Sequence, residues 1–306
     1  MFAFAGQASQ YPGMGRYWAA HCPGFTEEWQ HIGDLLRAQL PPEPLSESDV
    51  RRTYREIFAV QYALARSLQA HGIRPAATLG VSMGEICAVT IAGAMTEADA
   101  LDLVNEQARC IWQLCPAGGM VAVPAQPDCL TALPTEPRCE VAMVSRRHFI
   151  LAGDRAGLAR LRQRLRQRGI ASFVLPVERG FHSPAIDSAS STAGRLGSYR
   201  PSTELPIVSC ASTDLTYQVP EPDHLWSAIR RPIRFVETAR ALSRTGPYAW
   251  VDLGPGASIS SMLAHNEIPA IAVHTLLASR RMERIPAGLL PISVTGIAPA
   301  SSALPG

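Results

Sequence analysis

The sequence predicts an α/β fold with a small β-rich subdomain inserted into a larger core, and three observations predict it. Pro75–Gly80 has the character of a strand that ends on a glycine, and Glu85–Ala94 is apolar and helix-length. A second strand-to-glycine turn follows at 247–256. Between them, from about 118 to 180, short apolar runs of strand length predominate. Strand, glycine turn and helix in succession are typical of α/β proteins.

The elements of the core follow from local patterns. Phe2–Ala5 is a short apolar run before Gly6, which predicts a buried strand entering a polar loop. Asp49–His71 carries apolar residues at three- and four-residue steps, which predicts a helix. Thr96–Gln113 is predicted as another helix, because Thr96 is a good N-cap and acidic residues follow it.

The inserted segment has its own pattern of one helix among several strands. The predicted elements are strands at Met120–Val123, Val141–Val144, Phe149–Leu151 and Ser172–Val177, and a helix at Ala156–Arg168. The arginines of this helix form either a solvated face or a docking surface for an acidic partner. We therefore expect a core at 1–117 and 181–280, a subdomain at 118–180, and a tail rich in Pro, Ala and Ser at 281–306.

Composition excludes several classes of function. The net charge of the 306 residues is +2, which argues against nucleic-acid binding through phosphate contacts. All 28 basic residues are arginine, so mechanisms that need a lysine are excluded. No apolar run is long enough to span a membrane, and the first residues do not resemble a signal peptide. The seven scattered cysteines show no CxxC pair, which predicts a reduced, cytoplasmic protein without a zinc site.

One motif carries chemistry. Gly80-Val-Ser-Met-Gly84 matches G-x-S-x-G, in which a serine on a tight strand-to-helix turn becomes a nucleophile. The alternative is an ordinary turn with a capping serine. A nucleophilic serine needs a general base, usually histidine. Among the eight histidines, His182 lies mid-chain, whereas His265 and His274 lie late, as in an α/β-hydrolase; spacing alone does not choose between them.

Five motifs together resemble a known family, the acyl-carrier-protein acyltransferases, which comprise malonyl-CoA:ACP transacylases and polyketide-synthase acyltransferase domains. The resemblance spans roughly residues 2–265, and five motifs in order are more specific than any one of them. They are Gly6-Gln-Ala-Ser-Gln10, Gly80-Val-Ser-Met-Gly-Glu85, Gly180-Phe-His-Ser-Pro184, Arg231-Pro-Ile-Arg-Phe235 and Gly254-Pro-Gly256.

The resemblance implies a role for each matching residue. Ser82 is similar to the nucleophile, and His182 resembles its base, oriented by a backbone carbonyl that the motif places at Arg234. Gln7 and Met83 are similar to the residues of the oxyanion hole. The implied fold is an α/β-hydrolase-like core with a ferredoxin-like subdomain.

The resemblance also implies the molecules that the protein meets. The partners are an acyl carrier protein and an acyl thioester, and neither nucleic acid nor membrane is expected. No cofactor is implied, since the phosphopantetheine arm or CoA belongs to the substrate.

The departures from the family pattern concern the acyl pocket. Members that take malonyl groups hold the carboxylate with an arginine where this sequence has Gln107. Arg109 should face away, because two residues on a helix lie about 200° apart. Val81 replaces the usual histidine, and we assign it to the acyl pocket together with Gln107 and Phe181. A neutral amide cannot form the charged pair that a carboxylate favours, which predicts a preference for non-carboxylated acyl groups.

Four hypotheses remain open from the sequence. These departures resemble the free-standing, trans-acting acyl hydrolases of polyketide assembly lines, so the first is an editing hydrolase that releases acyl groups from carrier proteins. The second is a transacylase that loads a carrier. The third is a non-catalytic carrier-docking module, and the fourth an unrelated esterase that would use His265 or His274.

Overall fold

The computed structural model describes residues 1–37, 45–133, 135–193, 205–212 and 223–277. A parallel five-stranded sheet forms the centre of the core. Its strands are β1 (Phe2–Phe4), β2 (Thr78–Gly80), β7 (Ile207–Ser209), β8 (Ala249–Asp252) and β9 (Ala272–Thr275). They lie in the order β7-β2-β1-β8-β9.

Helices pack around this sheet and bury its apolar side chains. Most of α3 (Val50–Ala70) and all of α4 (Gly84–Ile91) are buried, as expected for helices that cover a parallel sheet. The helices of the core are α1 (Arg16–His21), α2 (Pro23–Arg37), α3 (Val50–Ala70), α4 (Gly84–Ile91), α5 (Glu97–Leu114), α7 (Ser190–Ala193), α8 (His224–Arg230), α9 (Phe235–Thr245) and α10 (Ser258–His265). None of the helices in the described ranges is both long enough and apolar enough to cross a bilayer.

Helix starts follow the capping signals in the sequence. The Thr96 hydroxyl accepts a hydrogen bond from the Asp99 N–H at 3.1 Å, so the predicted N-cap of α5 is confirmed. Asp49 caps α3 in the same way, by accepting from the Arg51 N–H at 2.8 Å. Both caps satisfy helix N–H groups that have no partner inside the helix.

The inserted segment forms a separate antiparallel sheet in the order β4-β5-β3-β6, with the chain running strand, short 3₁₀ helix, two strands, helix, strand. This is the connectivity of a ferredoxin-like unit. Its elements are β3 (Gly118–Val123), a 3₁₀ helix (Pro127–Ala132), β4 (Cys139–Val144), β5 (Phe149–Asp154), α6 (Arg155–Gln167) and β6 (Phe173–Val174).

The two faces of this sheet have different partners. One face packs against Leu158, Leu161 and Leu165 of α6 in a cluster of its own. Met120 and Ala152, among others, belong instead to the hydrophobic cluster of the large core. Helix α6 therefore covers the face of the subdomain that is turned away from the core, and most of its arginines are exposed.

The predicted fold class is confirmed, and the structure adds detail to it. The second sheet lies inside the interval 118–180, although the exact subdomain boundaries stay predictions. Helix α2 was not predicted; Pro23 and Gly24 at its start obscured its periodicity. The predicted tail at 281–306 lies outside the described residues.

Register brings two loops together at one edge of the parallel sheet. Phe4 of β1 pairs with Gly80 of β2, so both strands end side by side. The segments that follow, which begin with Ala5 and Val81, leave the sheet at the same edge. Ligands of open α/β sheets bind outside the carboxyl ends of the strands, and the candidate site lies here.

Candidate active site

The turn after β2 places Ser82 at a strained backbone position. Ser82 has φ +58°, a left-handed conformation that is uncommon for residues other than glycine. A Cβ on Gly80 would lie 2.3 Å from the Glu85 Cα, and one on Gly84 would lie 2.4 Å from the Phe4 carbonyl oxygen. Glycines are therefore required on both sides of the serine, which is the physical basis of the G-x-S-x-G pattern.

The loop after β1 crosses directly over this serine. A Cβ on Gly6 would lie 2.8 Å from the Ser82 Cβ, so only glycine allows the approach. Gln7 follows at once, and its side-chain Nε2 donates to the hydroxyl of Thr53 on α3. Within the described ranges, no hydrogen bond engages the backbone N–H of Gln7 or of Met83. These two N–H groups are the predicted oxyanion donors, and that role stays a prediction.

His182 is held in a second strained turn. Its φ is +59°, and its backbone N–H donates to the Ile229 carbonyl at 2.8 Å. Just before it, the buried Arg179 donates to the carbonyls of Ile111, Glu178 and Trp112. The Arg179 guanidinium also lies 4.3 Å from the centre of the Trp112 ring, as in a cation–π contact. The backbone entering His182 is thus anchored to the end of α5.

Ser82 and His182 meet although they lie 100 residues apart in the chain. The Ser82 Oγ and the His182 Nε2 are separated by 2.8 Å. On its other side, the His182 Nδ1 lies 2.7 Å from the Arg231 carbonyl oxygen. Since a carbonyl only accepts, Nδ1 carries the hydrogen and Nε2 is left with the lone pair that can take the serine proton. The pair has the geometry of a nucleophile and its general base.

The orienting carbonyl belongs to Arg231, and the prediction of Arg234 is wrong. Arg234 is the N-cap of α9, and its carbonyl accepts the Thr238 N–H at 2.9 Å, so it is committed to the helix. Arg231 stands before Pro232 in an extended conformation with ψ 157°, which leaves its carbonyl free to face His182. Counting along the motif could not reveal this, because it depends on where α9 begins.

Burial favours the neutral form of the base. Desolvation lowers the pKa of His182 to about 4, although the hydrogen bond to the Arg231 carbonyl opposes the shift. The nearby Arg230 lowers the pKa further. The imidazole is therefore neutral at physiological pH and ready to accept a proton.

Gln107 is fully buried in α5, and neither atom of its amide has a hydrogen-bond partner in the described part of the chain. Arg109 is exposed and pairs with Glu106 at 2.6 Å, as predicted from the helical period. No hydrogen bond joins Gln107 to the Ser82–His182 pair. An unsatisfied buried amide costs about 1–3 kcal/mol, so Gln107 is an unfavourable residue for a position that only fills the core.

The other two predicted pocket residues lie in packed surroundings. Val81 is buried in the hydrophobic cluster between the sheet and α9. Phe181 stacks on Tyr54 of α3 with a centroid distance of 5.9 Å, and the Tyr54 hydroxyl is itself buried without a partner among the described residues. Their contact with an acyl group stays a prediction. The contact of Tyr54 with Phe181 was not predicted, because in the sequence Tyr54 is one apolar position among many in α3.

The late histidines take no part in the pair. His265 is exposed near the end of α10, and His274 lies on β9, half-buried. Neither is hydrogen-bonded to Ser82. The geometry therefore favours His182 and removes the basis for an esterase with a late histidine.

A cavity of about 990 Å³ lies between the loop at 10–14, α2 and α3. None of the predicted site residues lines it. Across its wall, the Gln10 Nε2 donates to the Pro176 carbonyl at 3.1 Å, and both residues line the cavity.

Comparison with known proteins places the chain among acyltransferases. The sequence profile of the acyl transferase domain matches residues 1–266. The chain is 30% identical over 286 residues to the polyketide biosynthesis acyltransferase homolog BaeD of Bacillus velezensis, covering 88% of each chain. It is 28% identical to the polyketide biosynthesis acyltransferase homolog PksD of Bacillus subtilis, covering 86% of each. It also superposes on the crystal structure of MCAT from Streptococcus pneumoniae with TM-score 0.73 and 25% identity, covering 89% of this chain and 94% of that one.

Proposed function

The chain belongs to the acyl transferase domain family, and on that premise we propose that it hydrolyses non-carboxylated acyl groups from acyl carrier protein in polyketide biosynthesis. The observation that carries the proposal is the buried Ser82–His182 pair, with 2.8 Å between Oγ and Nε2, together with a neutral Gln107 where malonyl-using relatives have arginine.

The pair supports a two-step reaction. The Ser82 Oγ attacks the thioester carbonyl while the His182 Nε2 takes its proton. The C–S bond then breaks, the proton passes to the pantetheine sulfur, and the acyl group remains on Ser82 as an ester. In the second step a water molecule attacks this ester with His182 again as the base, releasing the acid and the serine. The N–H groups of Gln7 and Met83 would stabilise the oxyanion in both steps.

The charges around the site support a neutral acyl group. Two arginines are buried in the described ranges, and both are engaged by the protein. Arg179 donates to three carbonyls, and Arg55 donates to the Asn105 side chain and the Arg51 carbonyl. A malonyl carboxylate placed beside Gln107 would find an amide in place of a guanidinium, at a cost of several kcal/mol.

Transfer to a second carrier is the alternative. The family match and the names of the relatives favour it, because both describe acyl transfer. The two outcomes share the acyl-Ser82 ester and differ only in whether water or a carrier thiol attacks it.

One experiment separates the two. The protein is incubated with acetyl- or butyryl-loaded carrier protein, with and without an unloaded second carrier, and the masses of both carriers and of the enzyme are followed. Free acid formed without the second carrier supports the hydrolase, and acyl transfer that requires the second carrier supports the transacylase. Ser82→Ala and His182→Ala are the inactive controls. Efficient formation of a stable malonyl-Ser82 ester would overturn the argument from Gln107.

A further inference from the structure

A fully buried carboxylate lies three residues after the nucleophile. Glu85, in the first turn of α4, accepts hydrogen bonds from the Ser209 hydroxyl at 2.7 Å and the Cys210 N–H at 3.1 Å. Its other oxygen lies 2.6 Å from the Nε2 of His224. Apart from Thr90, the residues that follow Glu85 in α4 are apolar, so this carboxylate is expensive to bury and depends on its three polar partners.

His224 is the first residue of α8, and α8 leads directly to the groups that hold the catalytic base. The Ile229 carbonyl near its end accepts the His182 N–H, and the Arg231 carbonyl just after it orients the imidazole. The two ends of α8 therefore make two contacts with the site. The first binds the helix that follows Ser82, and the second binds His182.

We propose that the hydrogen-bonded pair of Glu85 and His224 is a positioning device that sets the distance and orientation of His182 relative to Ser82. It does so by tying the start of α8 to the first turn of α4. Neither side chain touches the reacting atoms. The proposal rests on the proposed function, since it concerns the same pair of residues.

The electrostatics shift His224 toward its protonated form. Burial disfavours a proton on His224, but the Glu85 charge and its hydrogen bond outweigh burial, and the pKa of His224 lies above its ordinary value. Asp223 raises this pKa further and Arg231 lowers it. The His224 side chain keeps 19% of its surface exposed, so the proton can come from solvent.

The test measures activation of Ser82 directly, with a fluorophosphonate probe that needs only the nucleophile and its base. Labelling rates are measured from pH 3.5 to 8 for the wild type, His224→Ala, His224→Leu and His224→Gln. Leucine fills the space if alanine prevents folding, and glutamine keeps an N–H donor toward Glu85. Ser227→Ala, on the same helix and outside the pair, is the matched control. Circular dichroism verifies that each variant is folded.

We expect labelling to fall about 10- to 100-fold in His224→Ala and His224→Leu, because a displacement of about 1 Å can cost on the order of 10²-fold. In these two variants we also expect the pH below which the labelling rate falls to move upward from about 4, because the His182 imidazole becomes more solvated. His224→Gln should recover most of the rate, and Ser227→Ala should match the wild type. A folded His224→Leu that is labelled at the wild-type rate, with the wild-type fall in rate at low pH, would overturn the proposal. A folded wild type that is not labelled would overturn the proposed function instead.

Discussion

The pH dependence of acylation gives the sharpest test of the catalytic pair. His182 must be neutral to accept the Ser82 proton, and burial lowers its pKa to about 4. The acylation rate should therefore be flat from neutral pH downward and fall only as pH passes through about 4. The gap from an ordinary histidine, with a pKa of about 6.5, corresponds to about 3 kcal/mol.

The structure predicts the size of the effect at a single pH. At pH 5.5, a base with a pKa of about 4 is about 97% neutral, whereas one with a pKa of about 6.5 is only about 9% neutral. The rate at pH 5.5 should thus be close to its value at pH 7.5.

The assay is the burst of acyl-Ser82 formation from an activated ester, measured by rapid quench in buffers of constant ionic strength. Because the burst follows only the first turnover, the later attack on the ester does not enter its rate. Ser82→Ala gives the background, and circular dichroism across the pH range shows that the fold persists. A burst rate that falls to half near pH 6.5 would show that His182 is solvated in the active protein, and the reasoning from burial would be refuted.

Three further predictions follow from single residues. Gln107→Arg should raise malonyl loading at least about tenfold, measured by intact mass, because it restores a charged partner for the carboxylate. Gly6→Ala should abolish labelling of Ser82, since its Cβ would lie 2.8 Å from the serine Cβ, whereas Gly24→Ala, with 3.8 Å to the nearest atom, should leave labelling intact. Burial raises the pKa of Asp252 to about 6, so the folded state holds this proton more tightly than the unfolded chain. As the pH rises from 4 to 6.5, the free energy of unfolding of the wild type should therefore fall relative to that of Asp252→Asn, by up to about 3 kcal/mol in urea titrations.

The sequence predicts the nucleophile and its base, but not the residues that hold them in place. Ser82 stands out because glycines on both sides signal a strained turn, and motif order selects His182. The inward position of Gln107 and the outward one of Arg109 follow from helical period, and burial confirms both. The orienting role was assigned to Arg234 and belongs to Arg231, because which carbonyl faces the imidazole depends on the start of α9, which a motif does not encode.

The pair of Glu85 and His224 was missed for a related reason. The two residues are 139 positions apart, and nothing local connects them. One signal was present, however. Glu85 opens the apolar run Ile86-Cys-Ala-Val89, and a carboxylate in such a run needs buried partners. That signal predicts a partner and cannot say which of eight histidines, or which arginine, supplies it.

The cost of building this site is concentrated on the two residues that carry its chemistry. Ser82 and His182 both adopt φ near +60°, which costs on the order of 1–3 kcal/mol for each non-glycine residue. Ala257 and Glu267 share this conformation, so strain alone does not identify a site. What distinguishes Ser82 and His182 is that each strained residue is also buried and hydrogen-bonded to the other. A strained, buried pair of residues keeps its hydrogen bond only where the surrounding structure holds both backbones. Helix α8 contacts both the helix that follows Ser82 and the backbone of His182, and so holds the two together.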